Sequence, residues 1–169
     1  MIRIGVIMLL SSLLVACSPQ YNWRQLTVGD GAVTAFFPDK PVTQERRLKF
    51  SRHDITFSMT SVTVDDALFT VAYAALPDAL RADEAGRKEF ALAVVGSLYR
   101  NLGQEPPKAL PAPGESFTVK GQSPSGAITL QARAWLTEQG LTEGIVTAAR
   151  DRFPESQAAE FLQGVEPGR

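Results

Sequence analysis

The feature that most constrains the fold is a change of hydrophobic periodicity in the middle of the chain. On both sides of it, apolar and polar residues alternate, as Ile55, Phe57 and Met59 do with their neighbours, which is typical of strands with one buried face. Between residues 83 and 102, apolar residues instead recur at helical spacing. Strands, a helix and further strands in this order predict an antiparallel α+β protein.

Turn and proline signals set the limits of the individual elements. The segment 104–114 contains four prolines and is predicted to be an irregular loop that leads back to the sheet. Pro154 is placed to begin a short helix that runs to Gln163. The predicted strands cover residues 22–27, 32–37, 43–50, 55–64 and 68–75 before the long helix, and residues 116–122, 127–137 and 142–149 after it.

The first sixteen residues have the layout of a secretory signal peptide. Arg3 supplies a positive charge, and the apolar run Ile4–Leu14 has the length of a secretory core segment. This run is shorter than the roughly twenty residues that a membrane-spanning helix needs. The segment therefore predicts export of the chain that follows it.

The motif Leu14-Val15-Ala16-Cys17 resembles the lipobox of bacterial lipoproteins. The resemblance implies that residues 1–16 are removed as a signal peptide and that Cys17 is lipidated, on its thiol and on the new amino group. Residues 17–20 are then a short tether, and residues 21–169 form a single periplasmic α+β domain. Ser18 follows the cysteine, which by analogy with enterobacterial sorting favours the outer membrane of a Gram-negative-type bacterium. A secreted protein with an incidental cysteine and an uncleaved membrane anchor are the alternatives.

Cysteine content and charge exclude several classes of site. Cys17 is the only cysteine, so after lipidation no disulfide, thiolate nucleophile or cysteine metal site is possible. The formal net charge of −1 argues against a nucleic-acid partner. The one basic cluster alternates with apolar residues and is interpreted as a solvated edge strand; it consists of Arg46, Arg47, Lys49 and Arg52.

The catalytic candidates are weak. His53 is the only histidine and is followed by Asp54, so an acid-base pair is conceivable, but an exposed hairpin turn is the favoured interpretation. Ser61, Ser97 and Ser116 lack the sequence context of an activated nucleophile. We therefore predict no catalytic residues, and a protein that is not an enzyme.

Metal and phosphate sites are not predicted either. Asp65 and Asp66, taken with Glu45, lack the alternating oxygen spacing of a calcium loop and are interpreted as a polar turn. The segment Gly121 to Gly126 has neither the lysine nor the following helix of a phosphate-binding loop. No metal-binding residue and no cofactor is expected.

Several features of the mature region are similar to the PsbP-like fold. They are Trp23, the segment Ala35-Phe36-Phe37-Pro38-Asp39-Lys40-Pro41, the long helix in the middle of the chain and the closing Ala159-Glu160-Phe161-Leu162. The resemblance implies an antiparallel sheet of two meanders, with one long central helix and a short C-terminal helix packed on it. Members of that fold are mostly non-enzymatic accessory or binding proteins.

Two functions are favoured at this point, and an enzyme ranks third because it would need His53 to be partly buried in a cleft with a polar partner. The first is a non-catalytic accessory module, anchored to the membrane through its lipid and bound to an envelope protein. The alternative is a carrier of a small hydrophobic ligand or lipid in a cavity between the sheet and the helix. Tyr21 and Trp23 lie close to the anchor, and for them core packing is favoured over contact with the membrane or with a ligand.

Overall fold

The computed structural model of the protein describes residues 20–168. The predicted signal peptide and the predicted lipidation site, Cys17, lie outside the described residues. The strands are β1 (Arg24–Val28), β2 (Val33–Phe37), β3 (Val42–Phe50), β4 (His53–Val64), β5 (Ala67–Ala75), β6 (Ser116–Ser123), β7 (Gly126–Leu136), β8 (Gly140–Ala149) and β9 (Glu166–Pro167). The helices are α1 (Asp78–Arg81), α2 (Glu84–Arg100) and α3 (Glu155–Gln163), with a 3-10 turn at Arg150–Arg152.

Six strands form the main sheet in the order β3-β4-β5-β8-β7-β6, and all of its neighbouring pairs are antiparallel. The meander β3-β4-β5 and the meander β6-β7-β8 join through β5 and β8 in the middle of the sheet. β5 is apolar almost throughout, as expected for a strand that is buried on both faces.

The other strands form a separate sheet of three, in the order β1-β2-β9. β1 pairs with β2, and the two-residue strand β9 pairs with the other edge of β2 at Val33 and Thr34. Val33, Ala35 and Phe37 alternate along β2 and are fully buried. The small sheet therefore combines the β1-β2 hairpin with β9, and the apolar face of β2 packs in the core.

The two faces of the main sheet bury different elements. On one face, Phe69, Val71 and Val146 pack with β2 and with α3, where Phe161 lies at the centre of the cluster. On the other face, Ala72, Leu141 and their neighbours pack against the inner side of α1 and α2. The fold thus has three layers, with the main sheet in the middle.

Helix α2 has defined signals at both ends. The Asp83 side chain accepts a hydrogen bond of 2.9 Å from the Gly86 backbone N–H, which caps the first turn. Glu84 and Lys88 form an ion pair at the favourable i, i+4 spacing. Gly103, three residues beyond the last helical residue, has a φ of 70°, which glycine adopts without strain.

No helix among residues 20–168 is long and apolar enough to cross a membrane.

The predicted fold class is wrong. The chain is mostly β, with 48% of the described residues in strands and 22% in helices, and it has two sheets and three short helices rather than one sheet around a long central helix. The error arose because β1 and β2 were assigned to the first meander, whereas β2 pairs with β1 on one side and with the C-terminal strand β9 on the other, in a separate sheet. Strand periodicity reports which residues are buried, but it does not report which strand is the partner.

Candidate functional site

An apolar groove lies between α2, the proline-rich loop and the main sheet. Its volume is about 570 Å³, and nine of its eleven lining residues are alanine, leucine or proline. This volume falls within the range of small-molecule sites. The lining residues are Lys88, Glu89, Ala91 and Leu92 of α2, Ala109, Leu110, Pro111 and Pro113 of the loop, and Ala134, Leu136 and Leu141 of the sheet.

The floor and the mouth of the groove differ in exposure. Ala91, Ala134 and Leu141 are buried and form the floor, where the small alanine side chains leave space between the helix and the sheet. Ala109 and Pro113 are exposed at the mouth. A ligand entering here would therefore move from solvent to buried apolar surface.

The loop that forms one wall is fixed to both neighbouring elements. On the helix side, a Cβ atom at Gly96 would lie 3.2 Å from Cβ of Pro106, so the absence of a side chain at Gly96 permits this close approach. On the sheet side, the Gly114 backbone N–H donates to the Ala134 carbonyl at 2.8 Å. The Arg133 guanidinium donates to the Gly114 carbonyl. A wall held at both ends favours a preformed groove.

Charges at the mouth are of both signs. Lys88 Nζ lies 2.6 Å from the carboxylate of Glu84, and this hydrogen bond lowers the pKa of the Glu84 carboxyl group. Glu89 contributes a second carboxylate beside Lys88 on the same wall. Lys88 and Glu89 are the two charged residues among those that line the groove, so the lining carries no net charge.

A buried carboxyl group lies beside the floor of this groove. Glu143 of β8 is 4% exposed, and its Oε1 atom has no hydrogen-bond partner. The register places Glu143 directly opposite Ala134 on β7 and opposite Ala72 on β5. Cross-strand partners share a face of the sheet, so Glu143 projects from the face that carries the groove floor.

The environment of Glu143 keeps it neutral over much of the acid range. None of the ion pairs found in residues 20–168 includes Glu143. Burial raises the pKa of its carboxyl group to about 7, because the charged form loses its hydration without gaining a cation. At neutral pH both the protonated and the ionised form are therefore accessible.

His53 and Asp54 do not form a catalytic pair through a shared face. Both belong to β4, whose first residue is His53, and adjacent strand residues point to opposite faces. His53 is half-buried beside a shallow depression that is also lined by Asp83 and Glu89. The sequence placed His53 and Asp54 in an exposed hairpin turn, whereas the structure places both in β4 and leaves only Ser51 and Arg52 in the turn, with His53 half-buried.

The three serines are not placed as nucleophiles. The hydroxyl groups of Ser61 and Thr70 are 2.8 Å apart on neighbouring strands, and Ser97 donates to the Val94 carbonyl at 2.6 Å. Ser116 is exposed at the start of β6. The two hydrogen bonds support local structure, and none of the three residues lines the apolar groove.

The acidic candidates are not brought together. Asp65 and Asp66 form the turn between β4 and β5, with φ values of 50° and 62°, and the Asp66 carboxylate accepts a hydrogen bond of 2.8 Å from the Arg152 guanidinium, with which it forms an ion pair. Glu45 lies on β3 opposite Ser58, in a different part of the sheet edge from this turn. In the part of the chain that the structure describes, no group of three or more His, Cys, Asp or Glu side chains could hold a metal ion.

Tyr21 and Trp23 pack on the core of the small sheet. Their rings are stacked with centroids 6.1 Å apart, and Tyr21 meets the edge of Phe69 at 6.3 Å. Burial, together with the nearby Asp65 carboxylate, raises the pKa of the Tyr21 hydroxyl group. Both residues lie on the face of the main sheet opposite to the groove, so they do not cap it.

The groove residues and Glu143 were missed by reasoning from the sequence. A signal for Glu143 was present, because it has the same strand phase as the apolar residues Leu141 and Ile145. The groove had no comparable signal, since the space between α2 and the loop depends on how the loop packs.

Comparisons with protein-family models, with curated proteins and with solved structures found no match.

Proposed function

We propose that the protein binds a small hydrophobic ligand, such as a single acyl chain, in the groove between α2, the proline-rich loop and the main sheet. The observation that carries this proposal is the nearly uniform apolar lining of a groove of about 570 Å³. Apolar surface of this extent tends to be covered in soluble domains unless a ligand or partner uses it.

The energetics favour an alkyl chain over a polar metabolite. Each methylene group moved out of water contributes about 0.8 kcal/mol, so eight buried methylenes contribute about 6 kcal/mol before the entropic cost of association. A polar metabolite would find few hydrogen-bond partners among alanine, leucine and proline side chains. The polar groups of Lys88 and Glu89 lie at the mouth rather than on the floor.

The test is displacement of an uncharged fluorescent dye, Nile red, from the protein by decanol. Ala109→Phe places a ring at the exposed mouth of the groove, and we expect it to weaken binding of both compounds at least about tenfold. Ala112→Phe is the matched control, because Ala112 is exposed in the same loop but does not line the groove. Equal binding by the two variants would refute the proposal.

We propose in addition that the domain is held at a membrane by acyl chains on Cys17. The resemblance to the lipobox supports this, and only three residues separate Cys17 from Tyr21. At about 3.3 Å per residue, such a tether reaches on the order of 10 Å. Because Tyr21 packs on the face of the sheet opposite to the groove, the groove would open away from the anchored side. Globomycin, which blocks removal of lipoprotein signals, should cause the uncleaved precursor to accumulate, and unchanged processing would contradict the anchor.

A second candidate, the accessory module that binds an envelope protein, is supported by strand β3. This strand is an edge of the main sheet, and eight of its nine residues are exposed. Arg46, Arg47 and Lys49 lie exposed on this edge strand, and Arg52 lies in the turn that follows it. Lys40 and Arg46 line a shallow depression on this edge, and Val42 is 66% exposed beside them. An extended acidic segment would complement this edge by adding a strand.

A synthetic peptide of alternating glutamate and valine tests the second candidate. Binding should shift the backbone amide resonances of β3 and weaken with added salt, because the charges are exposed. Arg46→Glu should abolish these shifts, whereas Lys120→Glu, on the opposite edge strand β6, should leave them unchanged. Peptide binding that leaves the β3 resonances unaltered would contradict this candidate.

A further inference from the structure

We propose that Glu143 is the polar recognition point for the buried end of the groove ligand, which is therefore an alkyl chain ending in an uncharged hydrogen-bonding group. This inference rests on the proposed ligand-binding function. It assigns the ligand an orientation, with its polar end against Glu143 and its chain along the wall formed by α2 and the proline-rich loop.

The first argument is that Glu143 lacks a partner. Its Oε1 atom is buried and makes no hydrogen bond. Leaving a buried acceptor unpaired costs on the order of 1–3 kcal/mol, so such atoms are rare in native structures. A ligand hydroxyl or amide would supply the missing hydrogen bond.

The second argument is position. Glu143 shares its face of the sheet with Ala134, its cross-strand partner, and with Leu141, two residues earlier on β8, and both of these line the groove floor. The Glu143 side chain itself is not part of the lining. Ala134, whose side chain is a methyl group, is its partner on β7, and glutamate has three rotatable side-chain bonds, so we expect that a ligand's polar end could be met by rotation of the carboxyl group past Ala134.

The third argument concerns the charge of the ligand. Glu143 lies between Ala72 and Ala134 in the sheet, on the face whose apolar cluster includes Ala72 and Leu141. A carboxylate or phosphate end would meet this carboxyl group in apolar surroundings without a cation to balance it. An alcohol or a primary amide hydrogen-bonds to either protonation state of Glu143, because each can donate as well as accept.

The experiment compares decanol with chlorodecane, which has the same chain but no hydrogen-bond donor, as competitors for the uncharged dye Nile red. In the wild-type protein we expect decanol to bind about tenfold more tightly, the effect of one net hydrogen bond. Glu143→Leu should remove this preference by weakening decanol alone, and Glu143→Gln, which still donates and accepts, should preserve it. Both replacements remove the unpaired carboxyl group while keeping a side chain of similar length, so the variants are expected to fold.

The outcomes separate this inference from the proposed function. If both compounds bind, Ala109→Phe blocks both and the preference for decanol persists in Glu143→Leu, the role of Glu143 is refuted and the groove site stands. If neither compound displaces the probe, or if Ala109→Phe has no effect, the groove site is refuted and the role of Glu143 with it.

Discussion

Glu143→Gln should stabilise the protein by an amount that grows with pH. The carboxyl group has a pKa of about 7 in the fold, against 4.5 for an unperturbed glutamate, because it is buried without a cation. The difference of 2.5 pKa units (7 minus 4.5) corresponds to about 3 kcal/mol at about 1.36 kcal/mol per unit. Since Glu143 is almost fully buried, solvent screening reduces this figure little.

The direction follows from proton binding in the two states. Above a pH of 4.5 the unfolded chain releases the Glu143 proton, while the folded protein holds it up to about pH 7. Ionisation of Glu143 therefore favours the unfolded state. As the pH rises from 4.5 to about 7, Glu143 lowers the free energy of unfolding progressively, and above about pH 7 this loss stays constant. Glutamine does not titrate, so the advantage of the variant is close to zero near pH about 4 and reaches about 3 kcal/mol near pH about 8.

Urea denaturation of wild type and variant across this pH range measures the effect as a difference in unfolding free energy, in which titrations common to both proteins cancel. Glu138→Gln is the matched control, because Glu138 is an exposed glutamate in the turn that precedes β8. A constant difference between Glu143→Gln and wild type at all pH values would refute the reasoning, and so would a difference that declines as the pH rises.

Three further variants test the packing and the helix cap. Asp83→Ala removes the cap on the Gly86 N–H, and we expect a loss of about 1 kcal/mol by urea denaturation; an unchanged midpoint would contradict the capping role. Phe161→Ala removes a ring whose centroid lies 5.5 Å from that of Phe37 and 5.4 Å from that of Phe69, and should lower the unfolding free energy by about 3–5 kcal/mol. A loss below about 1 kcal/mol would show that this aromatic cluster is not central to the core. Arg152→Ala breaks the exposed pair with Asp66 and should change the unfolding free energy by less than about 1 kcal/mol, and a larger loss would contradict its assignment as a surface ion pair.

Local elements of this fold were predictable because their signals lie within a few residues of each other. The helical spacing between residues 83 and 102 places α2, whose observed range is Glu84–Arg100, since Asp83 caps its start and Gly103 follows its end. The apolar run from residue 68 to 75 similarly indicated the central strand β5. In each case the side chains that decide the structure are adjacent in the sequence.

The division into two sheets was not predictable in this way. β9 consists of Glu166 and Pro167 alone, too short for any periodicity, yet it pairs with β2 and completes the small sheet. Pro38 and Pro41 mark a break between β2 and β3, but a turn at that point fits either one sheet or two. The groove depends in turn on how the proline-rich loop packs on α2 and β7, which is a long-range property.

Glu143 connects the stability of the protein with its proposed function. A leucine at this position would pack in the same apolar cluster without an unpaired oxygen, so the carboxyl group lowers stability at neutral pH. Polar groups that cost stability are often found where binding or catalysis uses them. Glu143→Leu should therefore raise the unfolding free energy near pH about 8 and at the same time abolish the preference for decanol. If Glu143→Leu is more stable and still prefers decanol over chlorodecane, the buried carboxyl group lowers stability without having the binding role that we assign to it.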